Sequence, residues 1–386
     1  VLSRSVPMLT EVLSCLAGFS RMRFSTFSAA AVLGTLPICL VYAAAGAYGT
    51  LSNPWPAVIL ALGVPALGWA GLRMARNDRS HDWARLFRLP NLATVPGTAV
   101  GGLLLAAAAS GTAPVFAHLV PLTGVVLGLL AVYAGGVALN DVVDAERDAT
   151  DRPDRPIPAG RIPRRRAARV AAALLILGPV FAGLTAGWQP GLCVVAVAVL
   201  AAFYDVVHAK CPFVGVLVMG ACRAGSWLCG AAVIGVAEFA NPLVLGASIG
   251  AFALTSVVTA LALGEATKDR LGRQATLPAE IAAVLLIGAF LGLRSAGAGL
   301  WPLAVFVVAI GENALASHAV MYGGSGVPPF IGRSIRVLGT LQCAWTGTAL
   351  AVLTVRVPEF APAWGWGAFV ALVVLRLVAE FASRRV

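Results

Sequence analysis

Apolar runs about 20 residues long, separated by short turns, recur from residue 26 almost to the end of this 386-residue chain. About 20 such residues are what a helix needs to cross the hydrocarbon of a bilayer. Inside lipid every backbone N–H and C=O must find a partner within the chain, which leaves helices or closed barrels. Barrel strands alternate in polarity and are half as long, so these continuous runs predict helices. The runs fall at roughly 26–49 and 56–73, then at 91–111, 117–140, 166–187, 190–207, 213–236, 242–264, 276–296, 299–320, 334–355 and 363–382. The chain therefore reads as an all-α, polytopic membrane bundle of about ten spans preceded by two more. Composition agrees: 59% of the residues are hydrophobic and 12% charged, against about 25% charged in soluble domains.

Loop charge orients the bundle. Arg21 and Arg23 precede the first run, 73–88 is basic, and 141–165 carries Arg147, Arg152, Arg155, Arg161, Arg164 and Arg165. Lys210, the loop with Lys268, Arg270 and Arg273, then Arg333, and finally Arg384 and Arg385 continue the series. The turns between them are neutral or nearly so. Such alternation is the positive-inside pattern, and it predicts an inner-membrane protein with both termini cytoplasmic. The net charge of +11 is accounted for by these loops facing anionic headgroups, so no nucleic-acid partner is expected. The first run is followed by further runs and reads as an anchor, not a cleaved leader. Seven cysteines form no CxxC pair, and the four histidines form no HExxH, so a zinc or haem site is not expected.

The densest chemistry lies at the cytoplasmic end of the run 117–140. Asn140, Asp141, Asp144 and Asp148 are followed by RPDRPIPAG at 152–160. At about 100° per residue, and with Asn140 as zero, Asp144 falls near ~40°, Asp148 near ~80° and Asp141 near ~100°. Glu146 falls outside that arc. Three acids and an amide on one face repel one another unless a cation intervenes. Oxygen ligands of this kind suit Mg²⁺, which is held by one or two carboxylates together with substrate phosphates. Arg152 and Arg155 add bidentate phosphate donors.

Further along, Glu265 and Asp269 are four apart and share a helical face, with Lys268 beside them. Tyr204 and Asp205 are followed by Lys210, a point charge suited to phosphate. Arg223 lies about ten residues into an apolar run, where an unpaired guanidinium is expensive. It is expected to meet Asp205 or an anionic substrate. Arg88 and Asn91 open the run at 91–111.

The ungapped NDxxDxxxD followed by RPDRPIPAG resembles the first signature of the UbiA superfamily of intramembrane prenyltransferases. About three quarters of the chain shares the resemblance. It implies that Asn140, Asp144 and Asp148 face Mg²⁺, with Asp141 in support, and that Glu265 and Asp269 form the second acidic motif, Glu265 standing where the family usually has Asp. It further implies that Asp144, Asp148, Lys210 and Arg223 are catalytic. Arg88, Asn91, Arg152, Arg155, Tyr204 and Asp205 would bind substrate. The MGxCR sequence ending at Arg223 resembles the EboC-like branch. The implied partners are a polyprenyl diphosphate, a lipophilic or small-molecule acceptor, and membrane lipid. Residues 18–49 resemble the C-terminal part of the VTT domain of DedA and SNARE-associated proteins, through Gly18, Phe19, Arg21, Met22, Phe24, Phe27, Gly34, Pro37, Tyr42 and Gly46. The expected organisation is a two-helix segment at 1–80 and a UbiA-like domain at 81–386. The rival reading is a membrane transporter or lipid-handling protein on a degenerate UbiA-like fold.

Overall fold

The computed structural model describes residues 78–357 except 93, 113–115, 264–270 and 323–325, together with 369, 370, 372, 373 and 376. The two N-terminal runs, the VTT-like stretch, and the second acidic motif of Glu265 and Asp269 lie outside the described residues. The chain divides into two compact units, Val1–Ala84 and Arg85–Val386.

The described residues are helical and contain no strand. A short amphipathic α1 (Asp78–Leu86) and the single turn α2 (Leu89–Leu92) lead into α3 (Val95–Ser110). There follow α4 (Leu119–Val143), α5 (Ala145–Asp151), α6 (Arg164–Ala186), α7 (Trp188–Val207), α8 (Pro212–Ala231) and α9 (Pro242–Ala262). The bundle closes with α10 (Leu277–Ser295), α11 (Leu303–Met321) and α12 (Val327–Arg356). Among the described residues eight helices are long and apolar enough to cross a membrane. With the shorter α3 they match the first nine of the ten runs expected after residue 81. Of the tenth, five residues are described, and all are helical.

The helices differ from the expected runs at two places, the starts of α3 and α12, and keep to them at the break between 190–207 and 213–236. The run 91–111 is broken before α3, where Pro96 sits in the first turn and the Thr94 hydroxyl donates to the Asn91 carbonyl at 2.7 Å. At 16 residues and about 1.5 Å per residue, α3 falls short of a full span. The runs 190–207 and 213–236 are separate helices, because Pro212 opens α8 within its first turn. The last long helix starts at Val327, ahead of the expected 334, so Arg333 lies inside it.

Two layers result. The outer helices turn apolar side chains outward: Ile176, Leu177 and Leu184 on α6, and Val199 and Phe203 on α7, are exposed. The inner pair is α3 and α12, where every residue of α12 from Val337 to Leu353 is buried. Small residues allow the close approach. A Cβ at Gly102 would lie 2.0 Å from the Trp227 carbonyl oxygen, and one at Gly230 would lie 2.0 Å from that of Ala99. Backbone therefore meets backbone between α3 and α8. At the far end Arg356 donates to the Ala108 and Ala109 carbonyls at 3.1 and 2.9 Å, satisfying the last turn of α3.

Candidate active site

The acidic column survives a break in its helix. α4 ends at Val143, and Asp144 sits in a bend before α5. Yet Asp144 N–H donates to the Asn140 carbonyl at 2.9 Å, Asp148 to Asp144 at 2.8 Å, and Arg152 to Asp148 at 2.8 Å. The four-residue repeat thus runs through the bend and keeps Asn140, Asp144 and Asp148 in line. Asp141 and Asp148 are buried, while Glu146 stands exposed and pairs with Arg164. That split is the one the helical arc predicts.

The loop after α5 folds back over this column. Turns close where Arg155 N–H donates to the Arg152 carbonyl and Ile162 N–H to that of Pro156, at 3.1 and 3.0 Å. Gly160 takes a positive φ of 71°, which suits glycine. Ile157 and Ile162 are buried and pin the loop down. Arg155 is thereby delivered to two carboxylates at once: it donates to Asp141 at 3.0 Å and also to Asp148. Arg88 adds a second guanidinium to the same Asp141 oxygen at 3.3 Å. Arg88 holds a left-handed φ of 47°, a costly conformation for a long side chain.

From α7 come two further groups. Asn140 donates through Nδ2 to Asp205 Oδ1 at 3.1 Å. The other Asp205 oxygen is buried with no hydrogen-bond partner. His208 stacks on Tyr204, with ring centroids 4.9 Å apart. Its Nε2 lies 3.2 Å from both Asp144 oxygens, and its Nδ1 lies 3.1 Å from the Tyr204 carbonyl. Both ring nitrogens thus lie within hydrogen-bond reach of oxygens.

Four aspartates, 141, 144, 148 and 205, are thus gathered with Asn140 against Arg88, Arg155 and His208. Arg152 and Lys210 stand exposed close by in sequence, and Asn91 is half-buried. Glu265 and Asp269 fall outside the described residues. By donor chemistry the oxygen set is of the hard kind that divalent cations take. Asn140, Asp144, Asp148 and Asp205 offer only amide and carboxylate oxygens, and Asp205 Oδ2 is unsatisfied. Among the described residues no three His, Cys, Asp or Glu side chains lie so that they could hold a metal ion together. Mg²⁺ typically takes few protein ligands and completes its shell with water and substrate phosphate.

Of its two expected partners, Asp205 and an anionic substrate, Arg223 does not meet the first. It does not pair with Asp205, which Asn140 holds instead; it donates to the Thr94 hydroxyl at 3.2 Å. Depth explains this. Asp205 lies two residues from the end of α7, whereas Arg223 lies eleven residues past Pro212 in α8. At about 1.5 Å per residue, that places the guanidinium roughly 16 Å along its helix. Thr94 also receives Gln342 Nε2 on its carbonyl at 2.7 Å. The expected set lacks Thr94, His208 and Gln342. His208 had a signal, since it follows Tyr204 by four residues and therefore shares its face. Gln342 is a lone amide in an apolar helix, itself a functional flag in a membrane. Nothing local marks Thr94.

Residues 94–326 match the UbiA prenyltransferase family. The chain is also similar to curated proteins named digeranylgeranylglyceryl phosphate synthase. The one from Ignicoccus hospitalis is 45% identical over 75 residues, 19% of this chain and 24% of that protein. For Methanothrix thermoacetophila the identity is 52% over 56 residues, 14% and 21% of the two chains. For Methanoculleus marisnigri it is 35% over 130 residues, 33% and 44%. In each case the chain spans less than half the length of the curated relative. A solved structure from work on digeranylgeranylglyceryl phosphate synthase in membranes has 18% sequence identity and a TM-score of 0.48, over 72% of this chain and all of that one.

Proposed function

Since the chain belongs to the UbiA prenyltransferase family, which it matches over residues 94–326, we propose that it transfers a polyprenyl group from its diphosphate to a lipophilic or small-molecule acceptor within the inner membrane. The observation that carries this reading is the gathering of Asn140, Asp141, Asp144, Asp148 and Asp205 against Arg88, Arg155 and His208. Relatives named as digeranylgeranylglyceryl phosphate synthases support prenyl chemistry. Acceptor and chain length are left open.

Asn140, Asp144, Asp148 and Asp205 would hold Mg²⁺, with Glu265 and Asp269 supplying the second acidic group. When bound, Mg²⁺ supplies Lewis-acid neutralisation of the diphosphate. Asn140 orients Asp205, and His208 orients Asp144, so the carboxylates are set before substrate arrives. Arg155 and Arg88, now on Asp141 and Asp148, are placed to receive phosphate oxygens, and Arg152 and Lys210 stand at the exposed edge. These donors stabilise charge where it develops. The bond from prenyl C1 to the diphosphate oxygen breaks, and its electron pair leaves on the diphosphate. An acceptor nucleophile then supplies the pair for the new bond to C1 and releases its proton. Apolar walls between the helices exclude water, which would otherwise capture the allylic cation.

Purified protein in nanodiscs, given Mg²⁺, labelled polyprenyl diphosphates and a membrane extract, is expected to form a labelled prenyl product and to stop on chelation. Asp144→Ala should lower turnover on the order of 100-fold or more, as for loss of a preorganised electrostatic group. Undiminished turnover in that variant rejects the assigned site.

A further inference from the structure

Two polar loci lie outside the acidic cluster. One is the narrow cavity between α8, α9 and α12 that Arg223 and Gln342 share with apolar side chains; it has room for about one water. The other is buried near the end of α11, where Ser317 reaches across to the turn that opens α10.

That turn leaves one carbonyl short of a donor. Residues Arg273–Thr276 form a three-ten turn ahead of α10, which begins at Leu277. Ala275 N–H donates to the Gly272 carbonyl at 3.0 Å, and Leu277 N–H closes the turn on Gln274. The next donor in this series would serve the Ala275 carbonyl, but it falls on Pro278, which has no N–H. Ala275 is fully buried, so water does not serve that carbonyl either. Ser317 does. It lies 42 residues further along the chain, is 2% exposed, and donates its hydroxyl to the Ala275 carbonyl at 2.6 Å. Its other acceptor in reach is the Asn313 carbonyl at 2.7 Å, one turn back on its own helix. A hydroxyl has one proton to give. The Asn313 carbonyl already takes the helical N–H of Ser317, so the Ala275 carbonyl is the one with more to gain.

The pin sits just past the second acidic motif. In the chain Ala275 follows Asp269 by six residues and Glu265 by ten. Leu271, one turn before Ala275, is buried in the core. The stem that leads from the motif into α10 is thus held at Leu271 by packing and at Ala275 by a hydrogen bond. We infer that Ser317 is a positioning residue for the second acidic motif: by holding the Ala275 carbonyl it fixes the stem of the segment whose Glu265 and Asp269 serve the diphosphate. The assignment rests on the prenyltransferase reading. Carboxylates set in place beforehand need no reordering when substrate binds.

The test uses the full chain in phosphatidylcholine nanodiscs. In EDTA and without ligand, amide hydrogen exchange across residues 273–277 should be faster in Ser317→Ala than in wild type. Farnesyl diphosphate binding is then read by calorimetry at limiting Mg²⁺. Asp269→Ala should weaken it, and Ser317→Ala should weaken it about tenfold, the effect of one lost hydrogen bond. Adding Ser317→Ala to Asp269→Ala should weaken binding no further, because the hydroxyl acts through that motif. Ser317→Cys, similar in size with a weaker donor, should fall between wild type and Ser317→Ala, and it carries the same cycle if the alanine variant does not fold. Unchanged exchange in Ser317→Ala overturns the pin. Unchanged farnesyl diphosphate binding in Ser317→Ala or in Asp269→Ala overturns the positioning role. So does a double variant weaker than Asp269→Ala by the whole effect of Ser317→Ala, since the hydroxyl would then be acting on the fold at large. Failure of farnesyl diphosphate to bind wild type rejects the prenyltransferase reading and the positioning role with it, and the exchange measurement still judges the pin.

Discussion

The acidic cluster and the Arg223 cavity treat charge in opposite ways. At the end of α4 four aspartates face two guanidinia and an imidazole, so anions and cations are interleaved. Inside the bundle one guanidinium faces a hydroxyl and apolar walls. The first arrangement is suited to exchange: a divalent cation can replace Arg155 on the carboxylates, and the freed guanidinium can turn to phosphate. The second leaves most of the guanidinium's donors unmatched, which is expensive inside a membrane bundle.

The largest effect should come from upsetting that interleaving. Arg155→Gln removes the cation shared by Asp141 and Asp148, whose side chains are 6% and 8% exposed. Breaking a buried pair by removing one partner costs about 3–5 kcal/mol. The melting temperature in EDTA should fall accordingly, and Mg²⁺ should restore more of the stability of Arg155→Gln than it adds to wild type. Equal melting of the two proteins in EDTA would mean that Asp141 and Asp148 are not held by Arg155 at all.

Much of this cluster is legible in the sequence, because spacing of four along a helix places Asn140, Asp144 and Asp148 in line whatever the rest of the fold does. The reach of Arg155 is not legible. It depends on a loop that turns back through Gly160 and anchors on Ile157 and Ile162. Helix count follows from apolar length, but the inside-outside order of the helices does not. α12 is the least apolar of the eight long helices over its most apolar stretch, and yet it is the most buried. A helix surrounded by protein can carry Thr340 and Gln342, because Glu312 and the Thr94 carbonyl on neighbouring segments receive their side chains. One of the two partners expected for Arg223, Asp205, is missed for a related reason: nearness in sequence gives no depth until both helices are placed.

A smaller effect should separate the rigid cavity from the adaptable loop. Gly102→Val places a branched side chain where even a Cβ would sit 2.0 Å from the Trp227 backbone oxygen. Backbone cannot rotate aside as a side chain can, so overpacking should cost about 1–3 kcal/mol or more. Gly160→Ala has nothing within 4 Å of its Cβ. Its cost is confined to the positive φ, about 1 kcal/mol. If thermal melts rank these two variants in the reverse order, the contact between α3 and α8 is looser than the glycine positions imply.

The smallest effect tests whether placement, and not charge alone, gives the cluster its weight. Arg147 and Asp151 lie in the same helix α5, four residues apart, and pair at 3.3 Å. Their side chains are 69% and 48% exposed, so water and salt screen the pair, and its two ends hold no other group in place. Exposed pairs at this spacing contribute about 0.3–0.5 kcal/mol. Arg147→Ala should therefore leave turnover unchanged and shift the melt by no more than that, although it removes the same guanidinium as Arg155→Gln from a position eight residues away. Should Arg147→Ala instead lower turnover as far as Asp144→Ala does, the basic loop would be acting through its summed field. The one-to-one contacts of Arg155 would then lose their special standing.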